Sequence, residues 1–140
     1  MKYFLLQPEV AGGLGENTVM STTVHPPLVS RLHYEFEGWL GDDLLESFPC
    51  HLVTARLRDA LVEAGVSGCK FDTVEISKSD EFEEMYPDRE LPRFFWLKVD
   101  GRPGVDDCGL TSKAQLVASE RCLQIMKGFN LANCDTEIYV

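Results

Sequence analysis

A chain of 140 residues with 44% hydrophobic and 26% charged content has the composition of one globular domain, long enough to bury about two-thirds of its unfolded surface without staples. Its formal net charge of −10, from 23 acids against 13 bases, argues against nucleic acid and anionic membrane as partners, since both require a basic surface. The opening MKYFLLQPEV holds too short an apolar run for an export signal, and no later run could span a bilayer, so a cytoplasmic protein is expected.

The pattern predicts a first strand over 2–6 and a long irregular loop over 8–30, with Gly12-Gly13-Leu14-Gly15 read as a flexible turn. Residues 31–37 form the clearest strand: Leu32, Tyr34 and Phe36 face a core, while His33, Glu35 and Glu37 make a wet, acidic face. Trp39 follows in a loop between Gly38 and Gly41, then Asp42-Asp43. A short strand over 50–53 leads to a helix capped by Thr54, striped with Leu57, Ala60, Leu61 and Ala64, and ended by Gly65. Residues 71–76 read as a strand. Ser77 or Ser79 then opens a short helix with Phe82, Met85 and Tyr86 inward, stopped by Pro87.

Residues 91–131 carry the strongest signals. Phe94 to Leu97 is apolar on both faces of a strand and should be covered on both sides. Asp100-Gly101 marks a turn. Ser119 caps a helix with Cys122, Ile125, Met126 and Phe129 on one stripe, and 136–140 reads as a last strand. The fold expected is α+β: a single domain over 1–140 with a mixed, mostly antiparallel sheet and two or three packed helices.

Two stretches look alike. Thr54 and its stripe map onto Ser119 and its stripe at an offset of 65, as does Cys69 onto Cys134, while Asp42-Asp43 maps onto Asp106-Asp107 at 64. This suggests a degenerate internal duplication with halves about 31–76 and 93–140; the rival reading is chance likeness of two strand–helix units.

Chemical signatures are sparse. The five cysteines form no C-x-x-C pair and leave an odd one, so reduced thiols are expected. His25, His33 and His51 do not sit at ligand spacing from them, so no metal or cofactor is expected. Cys50 and His51, adjacent on a strand, point to opposite faces. Asp42, Asp43, Asp106 and Asp107 could act as acid and base or hold a hard cation. Loop aspartates more often accept local backbone N–H groups.

Residues 32–55 hold Glu35, Glu37, Asp42, Asp43 and Glu46 with no Lys or Arg. With Trp39 as an aromatic anchor, these residues form the candidate partner-binding surface; the competing reading of Trp39 is a lid on the core. Residues 79–90 form a second acidic run, with six acids against Arg89.

Taken together, FFWLKVDG with GVDD, LVASERCLQIMKGFNL, and LHYEFEGW with GDDLLESFPCHLVT resemble the immunity proteins of bacterial polymorphic toxin systems. The group they are most similar to is immunity protein family 11. The resemblance runs from Arg31 onward and is strongest over 91–131. It implies an α+β protein that binds and neutralises a cognate toxin, carrying no cofactor and no catalytic residue. Since many toxins that attack nucleic acids are basic at their active face, an acidic patch would steer association with such a partner. The alternatives are a carboxylate-based hydrolase, with or without a metal ion, that reverses a toxin's modification, and a housekeeping interaction domain.

Overall fold

The apolar run at 94–97 divides two cores, and the rest of the chain is arranged around that division. A computed structural model describes residues 2–140. In chain order it contains β1 (Tyr3–Gln7), β2 (Gly12–Leu14), β3 (Val19–Ser21), β4 (Leu28–Arg31), β5 (His33–Phe36), β6 (Leu44–Ser47), β7 (Cys50–Thr54), α1 (Ala55–Glu63), β8 (Cys69–Asp72), β9 (Glu75–Lys78), α2 (Asp80–Met85), β10 (Phe94–Val99), β11 (Cys108–Leu110), β12 (Leu116–Ser119), α3 (Glu120–Lys127) and β13 (Asp135–Ile138). This is a single α+β domain with mostly antiparallel sheets and three helices, as the alternation and capping signals predict.

Two four-stranded sheets, ordered β6-β7-β10-β8 and β11-β12-β1-β13, repeat one another in register. Leu44 faces Val53 as Cys108 faces Ala118. Phe95 faces Val53 as Phe4 faces Ala118. Leu97 faces Phe71 as Leu6 faces Thr136. The likeness begins at β1, not at residue 31: the place that β10 takes in one sheet is taken by β1 in the other. Each half therefore lends its first strand to the sheet of the other half. That exchange ties the N-terminus to the C-terminal sheet.

The strand over 31–37 belongs instead to a third sheet, β2-β5-β9, in which β5 and β9 run parallel. Strands β2 and β5 of this lobe and the β3–β4 hairpin occupy the interval between β1 and β6, which has no counterpart between β10 and β11, while β9 comes from the connection between β8 and β10. The long irregular loop expected over 8–30 is thus three short strands. Gly12 is a strand residue, not part of a flexible turn: a Cβ there would strike the Glu35 carbonyl of β5. Spacing alone could not reveal this, because the requirement comes from a neighbour distant in sequence.

One core lies against Phe95 and Leu97 and collects Leu6, Leu44, Val53, Leu57, Leu61, Leu116, Leu123 and Met126. The other lies against Phe94 and Trp96 and collects Leu32, Tyr34, Phe36, Leu45, Leu52 and Phe82. Each large apolar side chain so buried contributes about 1.5–3 kcal/mol.

Thr54 caps α1 by accepting the Leu57 N–H, and Ser119 caps α3 by accepting the Cys122 N–H at 3.1 Å. Ser79 caps α2 by accepting the Phe82 N–H at 3.1 Å. Only Phe82 of that helix points inward, whereas Met85 is 66% and Tyr86 37% exposed. With six residues, α2 ends before its second turn can follow Phe82 into the core. No helix among the described residues is long and apolar enough to cross a membrane.

Candidate functional site

The second Asp of each pair, Asp43 and Asp107, occupies an equivalent place in the two halves, and that place is structural. Asp43 is 1% exposed. Its carboxylate accepts from the Thr54 hydroxyl, from Arg56 Nε at 2.8 Å and Nη2 at 2.7 Å, and from the Asn130 N–H at 2.8 Å. Asp107 accepts from the Ser119 hydroxyl at 2.7 Å, from Arg121 Nη2 at 2.8 Å and from the Ser67 N–H at 3.0 Å. In each case the helix-capping hydroxyl and an Arg two residues later grip the Asp of their own half. The third donor comes from the loop that follows the helix of the other half. Backbone bonds reinforce the clamps: Thr54 N–H donates to Asp43 O and Ser119 N–H to Asp107 O.

Burial alone would raise these carboxyls, but their donors outweigh it. Arg56, the Thr54 hydroxyl and the Asn130 N–H hold Asp43 below the usual carboxylate range. The Ser67 N–H, the Ser119 hydroxyl and Arg121 bring Asp107 down to about 2. Asp43, with two donors on each oxygen, has no free lone pair for a substrate or a cation, and Asp107 is engaged at both oxygens.

Asp42, 0% exposed, accepts from the Asn133 N–H at 2.8 Å and from Asn133 Nδ2 at 3.0 Å. Asp42 and Asp43 are therefore not part of a contact surface, which corrects the expectation drawn from 32–55. They fasten the loop after β5 to the loop after α3. Glu9 completes the fastening. Its buried carboxylate accepts the Leu40 N–H at 2.7 Å and the Asp42 N–H at 3.2 Å, and burial pushes its pKa up. Nothing near Glu9 in the sequence marks this role, because both partners lie more than thirty residues away.

The other candidates are dispersed. Glu46 is half-buried and meets His51 Nε2 at 3.1 Å, so it too is partly engaged. Glu35 is half-buried in the central strand of its sheet, and Glu37 is exposed just beyond it. Trp39 is half-buried, edge-on to Phe94 with centroids 5.8 Å apart, and donates from Nε1 to Asp42 O at 3.0 Å. The Arg89 guanidinium lies 5.1 Å above its ring. Trp39 thus packs, half-buried, against the second core under a cation, as the lid reading expects.

The expected wet face of β5 holds for Glu37 but not for His33, which is 5% exposed. His33 Nε2 lies 2.7 Å from the Ser77 hydroxyl, a pairing of the kind that activates a serine. Its Nδ1, however, accepts the Asn17 N–H at 3.2 Å. That bond leaves the ring proton on Nε2, aimed at Ser77, so the imidazole cannot take the serine proton. This contact joins β5 to β9 and to the 15–18 turn.

No group of three or more His, Cys, Asp or Glu side chains among the described residues is placed to hold a metal ion. A groove of about 740 Å³ runs between β9, α2 and residues 90–95. Glu83 and Glu90 line it, and with Asp80, Glu81, Glu84 and Asp88 they are the exposed acids of the α2 segment that the loop aspartates cannot provide. No protein-family model matches this chain, and no curated protein matches it.

Proposed function

We propose that the chain is a non-catalytic binding protein that neutralises a cognate bacterial toxin in the cytoplasm by presenting an acidic surface to a basic partner. The observation that carries this reading is the surface around α2. Six exposed acids there flank exposed Met85 and Tyr86 along the chain, a composition suited to an apolar anchor with a charged rim. The Ser79 N–H donates to Phe36 O at 2.8 Å, which sets the start of α2 beside Glu37 and extends the acidic surface toward Glu35. Arg89 over Trp39 connects the same lobe to the aromatic loop. The resemblance from Arg31 onward to polymorphic-toxin immunity proteins, strongest over 91–131, supports the reading independently of charge.

No observation favours the hydrolase. Asp42, Asp43 and Asp107 are spent on backbone and side-chain donors, and Asp106 accepts the Arg102 N–H at 2.8 Å.

The test is a tagged pull-down from the native host at low salt and at high salt, with the parent chain and with Glu81→Lys/Glu84→Lys. A basic protein held by the parent, released by salt and lost by the double variant is the expected result. Capture unaffected by the reversal would remove the α2 surface, and the absence of any stoichiometric basic partner would sink the function.

A further inference from the structure

The Glu75 N–H donates to Leu32 O at 3.0 Å and the Ser79 N–H to Phe36 O at 2.8 Å. Backbone groups alternate in direction along a strand, so Glu75, Ser77 and Ser79 face β5 while Val74, Ile76 and Lys78 turn their N–H and C=O groups the other way. β9 is the last strand of its sheet on that side. Among the described residues these outward groups have no backbone partner.

β10 has a matching gap. It pairs with β8 as far as Trp96 against Asp72. The next bonded pair in that register would join Phe94 to Val74, but beyond Asp72 the chain leaves β10 and pairs with β5 from Glu75. The Ala55 N–H donates to Arg93 O and the Asp100 N–H to Gly68 O, so Arg93 faces β7 and Phe94 faces the side that β8 has left. Phe94 is 4% exposed, yet among the described residues its N–H and C=O have no backbone partner. Buried backbone groups are paired in most folded chains. The groove of about 740 Å³ lies where the two sheets part, with Val74, Ile76, Lys78 and Phe94 among its walls.

We propose that an extended segment of the basic partner enters this groove and adds as a strand to the free edge of β9. The inference rests on the toxin-binding reading for the partner's identity and adds which part of the surface takes it, and by what bonds. Main-chain hydrogen bonds to Ile76 and Lys78 hold the segment, and its alternate side chains set the choice of sequence. Charge selects a basic one. Glu83 and Glu90 line the groove, and neither is in an ion pair among the described residues. The cations on its walls are engaged: Lys78 Nζ donates to Arg89 O at 2.7 Å, and the Arg93 guanidinium lies 4.7 Å from the Phe95 ring centroid. Ile76, Leu91 and Phe94 supply apolar lining. Successive side chains of a strand point to opposite faces, so a segment alternating Val, Ile or Tyr with Arg or Lys fits both kinds of wall.

The test uses the isotope-labelled full-length chain and a synthetic peptide pool about ten residues long, with Arg or Lys alternating with Val, Ile or Tyr. Amide hydrogen exchange is followed by NMR. The expected result is slower exchange at Ile76 and Lys78 with the basic pool and no change with a pool carrying Glu in place of Arg and Lys. Lys78→Pro removes only an outward N–H of the edge strand and should weaken binding by about tenfold. Lys78→Ala keeps that N–H and should stay within about twofold of the parent. Should Lys78→Pro not fold, the same pool N-methylated at alternate backbone amides decides, and it should not bind. Absence of binding by the basic pool, equal binding by the N-methylated pool, or binding that leaves Ile76 and Lys78 exchange unchanged would overturn the proposal. A host partner held equally by parent and Lys78→Pro would overturn strand addition and leave the toxin-binding reading standing. Protection by the basic pool with no partner in the host would do the reverse.

Discussion

The Ser119 hydroxyl donates to Asp107 Oδ1 at 2.7 Å while its oxygen accepts the Cys122 N–H at 3.1 Å, so one side chain both starts α3 and holds the loop before β11. Thr54 does the same for α1 and Asp43. Replacing either by Ala removes a helix cap and leaves a carboxylate oxygen short of a donor, at a cost of about 2 kcal/mol each. The two clamps share no residue, so Thr54→Ala and Ser119→Ala should add within about 0.5 kcal/mol in urea unfolding. Thr54→Ser, which keeps the hydroxyl, should be nearly neutral.

Asp107 makes stability depend on acid. Its folded pKa of about 2 lies below the ordinary 3.8, so its contribution is fully present above 3.8 and is lost as pH falls through about 2. The shift corresponds to about 2 kcal/mol. Asp107→Asn should therefore be less stable than the parent by about that amount at pH 7, and the gap should narrow between pH 4 and pH 2. A gap constant across that range, measured by urea titration at each pH, would show that the carboxylate's charge is not what the clamp uses.

Glu9 should behave oppositely. Its pKa is raised by burial, so the ionised form is penalised in the folded chain and folding gains as pH falls toward the ordinary Glu range. Glu9→Gln keeps one acceptor for the Leu40 or Asp42 N–H and sheds the buried charge, so its cost should stay within about 1 kcal/mol. Glu9→Ala strands both donors and should cost about 2–3 kcal/mol. Thermal melts of the two variants at one pH are enough to compare them.

Charge reversal should separate structural acids from surface acids. Lys at Asp42 or Asp43 would place a cation where each side chain is buried among N–H donors, lowering stability by at least about 3 kcal/mol. Glu81→Lys and Glu84→Lys lie on the exposed face of α2 and should change stability by no more than about 0.5 kcal/mol each. A melting temperature that holds in the Asp43 variant would place that carboxylate back among the surface candidates.

Local signals carried much of this architecture. Alternation in 31–37 marked Leu32, Tyr34 and Phe36 as core, and the two-faced run at 94–97 marked a strand between two buried layers. A hydroxyl residue before each apolar stripe marked the starts of α1 and α3, because capping and periodicity involve neighbours within four positions. The offset of 65 between Thr54 and Ser119 and that of 64 between the Asp pairs also lay in the residues, and with them the equivalence of Asp43 and Asp107.

Only the tertiary structure decided which strand completes which sheet, and therefore that β1, rather than β5, is the partner of β10 in the repeat. The same is true of charge. An Asp in a loop reads alike whether water or a distant backbone N–H solvates it, and the donors that bury Asp42 and Asp43 come from Asn133 and Asn130, 91 and 87 residues on. The sequence could state how much acid the chain carries; contacts between remote segments determined which of it is left at the surface.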